Sequence, residues 1–132
     1  HPWAKPFIET YNKETNLRKE GTTTKSENKL YWVSIGRIMA IAIFDILESS
    51  RVCHNAVKNT ELFQFAKHVR HGAAHDNKFD IHPPIKTDIK WGDKTITNSL
   101  NKTPIFPNFM TPPELIFLMA DISKIIEEKT HK

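Results

Sequence analysis

"LYWVSIGRIMAIAIFDILES", residues 30–49, decides the fold class of this chain. Its polar positions, Ser34, Arg37, Asp45 and Glu48, are spaced by about three, eight and three, which places them on a narrow stripe of an α-helix. The rest of the circumference is apolar and has to be covered. In a chain of 132 residues that calls for a central helix, or for a helix buried against a second copy. The pattern predicts that this helix continues to about Val57.

Working outward, residues 1–27 divide into a helix over Lys5–Leu17, with Phe7, Ile8 and Tyr11 on one face, and a mobile loop around Gly21 and its three threonines. Downstream, Asn59 or Thr60 caps the next helix. Leu62, Phe65, Ala66, Val69 and Ala73 form its buried face, and Glu61, Gln64, His68, His71 and His75 form a polar stripe opposite. The pair Pro83-Pro84 ends helical structure. Ile85, Thr87, Ile89 and Trp91 alternate into a strand, with Gly92-Asp93 suited to a hairpin turn. "NKTPIFPNF" reads as a connector. "TPPE", residues 111–114, opens the last helix with Thr111 as cap, Pro112 at the first position and Glu114 closing a capping box. Leu115, Leu118, Ile122 and Ile125 line its buried face. The expected fold is mainly α: one domain, an up-and-down bundle of three to five helices with a small β-hairpin before the last helix, whose core is residues 28–130.

Composition agrees with a soluble globular domain: 39% hydrophobic and 26% charged residues, with a net charge of +4. That charge is compatible with a polyanionic partner but does not establish one. A single cysteine, Cys53, excludes an internal disulfide and fits a reducing, cytoplasmic setting as a small apolar residue on a helix. The opening "HPWAKPF" does not read as a secretory leader and lacks an initiator methionine, which fits either residues missing upstream or a removed tag. The longest apolar run, Ile38 to Phe44, is too short to span a bilayer, and no membrane partner is expected.

Chemistry concentrates in "FAKHVRHGAAHDNKFDI", residues 65–81. His68, His71 and His75 lie one and two turns apart, so a metal is one reading, and a solvated helix face explains the same spacing. A second reading pairs Arg70 with His75. A histidine exchanges protons near neutral pH, and a guanidinium fork grips a phosphate and neutralises charge building on it, so the two together can cleave RNA without metal. The bland alternative leaves Arg70 snorkelling from the edge of the apolar face. On an ideal helix, residues 70 and 75 point roughly 140° apart, a poor clasp within one chain. Either Gly72 loosens the helix so that His75 swings round, or two copies meet and share a cleft.

Arg70-His71-Gly72-Ala73-Ala74-His75, at the end of a helix beginning near Asn59, resembles the motif of the HEPN superfamily (higher eukaryotes and prokaryotes nucleotide-binding domains). The element order over most of residues 28–130 is similar as well. The resemblance implies a helical, dimeric, metal-independent endoribonuclease that needs no cofactor and leaves 2′,3′-cyclic phosphate ends. Arg70 and His75 would be its catalytic pair and His71 a neighbour that orients the site. Asp76 and Asn77, by adjacency, would touch RNA or fix the tautomer of His75. Enzymes of this kind act as toxins with a cognate antitoxin, as phage-defence effectors or in RNA processing. Inactive members also occur, so a non-catalytic module binding RNA, a nucleotide or a regulatory partner stands beside the enzyme reading.

Overall fold

The computed structural model describes residues 5–10 and 25–130. They form a mainly helical bundle, with one two-stranded antiparallel hairpin before the last helix. The elements in order are α1 (5–10), α2 (Lys25–Ser49), α3 (Arg51–Val57), α4 (Glu61–Ala74), β1 (Ile89–Trp91), β2 (Lys94–Ile96), a 3-10 turn at Asn98–Leu100, and α5 (Pro112–Thr130). The expected N-terminal helix is present over 5–10; Tyr11 and the loop around Gly21 lie outside the described residues.

The decisive stretch is helical as expected, but its boundaries differ at both ends. α2 begins at Lys25, inside the segment expected to be loop. It also stops at Ser49 instead of running to Val57. Ser50 takes an extended conformation (φ −95°, ψ 113°) and its hydroxyl accepts from the Cys53 amide at 3.3 Å, so a new helix starts there. The break redirects α3 against α5, whose Lys129 donates to the Ala56 carbonyl at 2.8 Å. Cys53 sits on α3, half-buried against the core. By length and composition, Asn28–Ser49 is apolar enough to cross a membrane, although the run Ile38–Phe44 alone is too short. In this fold it packs against α4 and α5, with Ile35, Ala40, Ile43, Phe44 and Leu47 buried.

Thr60 caps α4, accepting from the Phe63 amide at 3.2 Å and donating to the Val57 carbonyl at 2.6 Å. Phe65, Ala66, Val69 and Ala73 are buried as the periodicity requires, and Phe63 joins them, stacked on Phe44 at 5.2 Å. Half of the expected capping box forms at α5: the Thr111 amide donates to Glu114 Oε1 at 2.9 Å, but the Thr111 hydroxyl donates to that same oxygen at 3.0 Å, and the Glu114 amide bonds to the Thr111 carbonyl at 3.1 Å. Leu115, Leu118 and Ile122 are buried beneath it.

The hairpin is shorter than the alternation suggests. Only Ile89–Trp91 and Lys94–Ile96 pair, around Gly92 at φ +60°. Ile85 lies outside the strands, where Asn98 takes its amide at 2.8 Å and donates to its carbonyl at 3.0 Å, a side chain replacing a ladder partner. The hairpin braces the bundle: Trp91 packs on Phe65 and its indole donates to Asp121 on α5 at 2.8 Å. The segment expected to be a mere connector supplies core. Ile105, Phe106 and Met110 are fully buried, and Phe109 meets Phe79 edge-on at 4.9 Å.

Candidate functional site

The C-terminal half of α4 carries the candidate residues, and the chain after it folds back beside them. Gly72 does not loosen the helix: it remains helical and buried, and His75 N–H closes the last turn on the His71 and Gly72 carbonyls at 3.1 and 3.0 Å. The glycine serves close approach instead. A Cβ there would lie 2.4 Å from Ile105 Cδ1 and 2.8 Å from the Lys78 carbonyl oxygen. His75 is the C-cap (φ −110°, ψ 68°), and Asp76 and Asn77 follow in the left-handed region at φ 61° and 60°, a conformation that Asp and Asn tolerate best among non-glycine residues.

That turn is pinned. Asn77 Nδ2 donates to the Phe106 carbonyl at 2.8 Å and Asn77 Oδ1 accepts from the Phe106 amide at 3.1 Å. Asn77, expected to touch RNA or to fix the His75 tautomer, thus has its amide committed to the fold. Arg37, part of the polar stripe of α2, reaches across to the α4 terminus and donates through Nε to the Ala73 carbonyl at 2.7 Å.

The polar stripe of α4 is solvated only in part: Glu61 and His75 are exposed, and Gln64, His68 and His71 are half-buried. Residues 80–85 cover part of it, making a cleft of about 400 Å³ lined by Lys67, His68, Arg70, His71, Asp80 and His82 together with apolar Phe44, Pro83 and Ile85. His68 is half-buried there, and burial, with the positive charge of Lys67 and the nearness of His71, lowers its pKa and favours the neutral imidazole. His71 Nε2 meets Asp80 Oδ2 at 3.3 Å, and its ring lies 4.3 Å from that of His75. Lys102 Nζ stands 3.5 Å from Asp80 Oδ1 and, with the bond to His71, holds that carboxyl below the ordinary aspartate value.

Arg70 comes close to one counter-charge: its Nε lies 3.4 Å from Asp45 Oδ1 on α2, near enough for an ion pair but without hydrogen-bond geometry. Nε is buried with no acceptor. Arg70 and His75 do not share a hollow in one chain. His75 lines a neighbouring one of about 350 Å³ with Asp76, Lys78, Phe79, Asp80 and Lys102. Asp80 belongs to both.

Among the described residues, no group of three or more His, Cys, Asp or Glu side chains is placed to hold a metal ion. His68, His71 and His75 therefore do not assemble the metal set that their spacing allows: His68 faces the cleft, while His71 engages Asp80 and His75. The spacing of α4 gave no notice of Asp80, His82 and Lys102, since they reach the site through the return of the chain. Comparison with models of known protein families, with curated proteins and with solved structures finds no match to this chain, and the chemistry of the site rests on its own residues.

Proposed function

We propose that the protein is a metal-independent endoribonuclease of HEPN type, acting as a dimer. The observation that carries this reading is the company of Arg70: its guanidinium, with a buried Nε that lacks an acceptor, lines a cleft with Lys67, His68, His71 and His82. Such a cluster of donors suits a phosphodiester, and an arginine held there neutralises the phosphate as charge builds. In the reaction His75 takes the ribose 2′-hydroxyl proton and the 2′-oxygen attacks phosphorus. The bond to the 5′-oxygen breaks, and a second His75 or water gives that oxygen a proton, leaving a 2′,3′-cyclic phosphate. His71, engaged by Asp80 and packed on His75, orients the pair.

The separation of Arg70 and His75 into adjoining hollows supports a shared site in which each copy complements the other. Apolar surface is available for such a meeting. About a third of the apolar window in Asn28–Ser49 is buried within one chain (33%), and Leu30, Ile116 and Phe117 are exposed. The resemblance extends the proposal to a toxin with a cognate antitoxin, or a phage-defence effector, acting on RNA in the cytoplasm.

Digestion of single-stranded and structured RNA in EDTA is the test. The parent protein is expected to cut and leave cyclic phosphate ends, and Arg70→Ala or His75→Ala to abolish cleavage while fold and dimer persist. A double mutant that cuts as fast as the parent sinks the mechanism. A second reading, a module that binds RNA without cutting it, draws on the Arg70–Asp45 contact at 3.4 Å, which occupies the arginine that catalysis would use. Binding by the parent with no cleavage under any of these conditions selects it.

A further inference from the structure

The lining of the cleft beside α4 is of two kinds. Lys67, Arg70 and His71 supply charge and donors, whereas Phe44, Pro83 and Ile85 supply apolar surface. A phosphate needs only the first set. A cleft of about 400 Å³ that sets an apolar wall beside its polar groups has room for a flat organic ring as well, since such ligand sites begin at roughly 300 Å³.

We propose that this cleft is a nucleobase subsite: an unpaired base of an RNA strand lies against Phe44, Pro83 and Ile85, His68 hydrogen-bonds its edge, and Arg70 holds the adjoining phosphate. The inference rests on the RNA reading above and adds a specificity-determining residue to it. Unpaired bases are recognised by contact with their flat faces and by hydrogen bonds to their edges. Among the described residues His68 has no hydrogen-bond partner, although it is half-buried and lines the cleft. Its burial keeps the ring neutral, so one nitrogen donates and the other accepts, the pair of functions that a base edge answers. An imidazolium would only donate.

The test uses 2′-O-methyl tetranucleotides, which cannot be cleaved, of adenosine, cytidine or uridine, beside an abasic tetramer of equal charge. Calorimetric titration of the intact protein is expected to show at least one base-bearing tetramer binding about tenfold or more tighter than the abasic one. His68→Ala removes most of that difference, while Arg70→Ala weakens base-bearing and abasic tetramers alike. Histidine-ring NMR of the parent gives an answer that needs no substitution: the His68 resonances move with the base-bearing tetramer and not with the abasic one. Equal affinity for all tetramers, a His68→Ala protein that still discriminates, or unmoved His68 resonances overturns the subsite. The nucleoside 3′-monophosphates are expected to bind more weakly than the tetramers; equal or tighter binding assigns the cleft to free nucleotides and overturns RNA as its occupant. Failure here with ordinary RNA still cut removes the subsite alone, and discrimination without cleavage removes the catalytic reading alone.

Discussion

In the turn that closes α4, Asn77 engages the Phe106 amide and carbonyl together, and the Ile105 amide reaches the Asn77 carbonyl at 2.9 Å. In the cleft along the same helix, His68 has no hydrogen-bond partner among the described residues, and Arg70 Nε is buried without an acceptor. Two arginines show the contrast most sharply: Arg37 Nε meets the Ala73 carbonyl at 2.7 Å, and Arg70 Nε meets only the edge of an ion pair at 3.4 Å. Buried polar groups in folded proteins are nearly always satisfied. The turn commits the Asn77 amide to structure, whereas the cleft leaves the half-buried His68 ring without a protein partner and pairs Arg70 only loosely with Asp45.

Exchanging the roles of the two regions would break this contrast. The largest expected effect is on cleavage. Arg70→Ala or His75→Ala should lower it by about 10²-fold or more, with stability changed by less than about 1 kcal/mol because the Arg70–Asp45 pair is partly exposed. Asn77→Ala should do the reverse, costing about 2–3 kcal/mol through two lost hydrogen bonds and a left-handed backbone that alanine resists. Thermal unfolding and a cleavage assay on the remaining folded protein separate the two. A stable but inactive Asn77→Ala protein would move the turn into the site.

Gly72→Ala sharpens the boundary between the regions, because residue 72 lies within the motif and yet faces the core. Its new Cβ would crowd Ile105 Cδ1, which can give way, and the Lys78 carbonyl, which is backbone. A loss of about 1–3 kcal/mol is expected from overpacking, read from urea unfolding. If stability holds and cleavage rises or falls, the glycine acts through helix flexibility after all.

The elements most visible in the sequence are those governed by neighbours a few residues away. Thr60 caps α4, Glu114 takes the Thr111 amide at the start of α5, Phe65, Ala66, Val69 and Ala73 are buried with Leu62 half-buried beside them, and Gly92 turns the hairpin. The helix break at Ser50 was less legible because residues 30–57 carry no proline or glycine after Gly36; a serine stops the helix only because α3 gains α5 as a partner. His68 resembled a solvated residue for the same reason: the lid over it, His82 to Ile85, arrives from beyond the helix. Arg37 finds its carbonyl 36 residues away, and Asp80 finds His71 nine residues back across the turn. None of these pairings has a periodicity to announce it.

Asp80 joins the two regions, and its substitution has the smallest and most diagnostic effect. Its carboxylate stands between Lys102 and His71, and both stabilise the ionised form, so its pKa is lower folded than unfolded. The stabilisation is fully present above the unfolded aspartate pKa and disappears as pH falls through the lowered folded value, because below both values the carboxyl is protonated in either state. Urea midpoints measured from neutral pH downward should therefore fall more steeply for the parent than for Asp80→Asn, with the two proteins converging at the acid end. Asparagine can still bond to His71, so cleavage at neutral pH should drop by only about threefold to tenfold, well short of the full acid–base contribution of about 10²–10⁴. An Asp80→Asn protein as inactive as His75→Ala would mean that the carboxylate itself takes part in the reaction, and the division between a structural turn and a reactive cleft would then run through Asp80 instead of beside it.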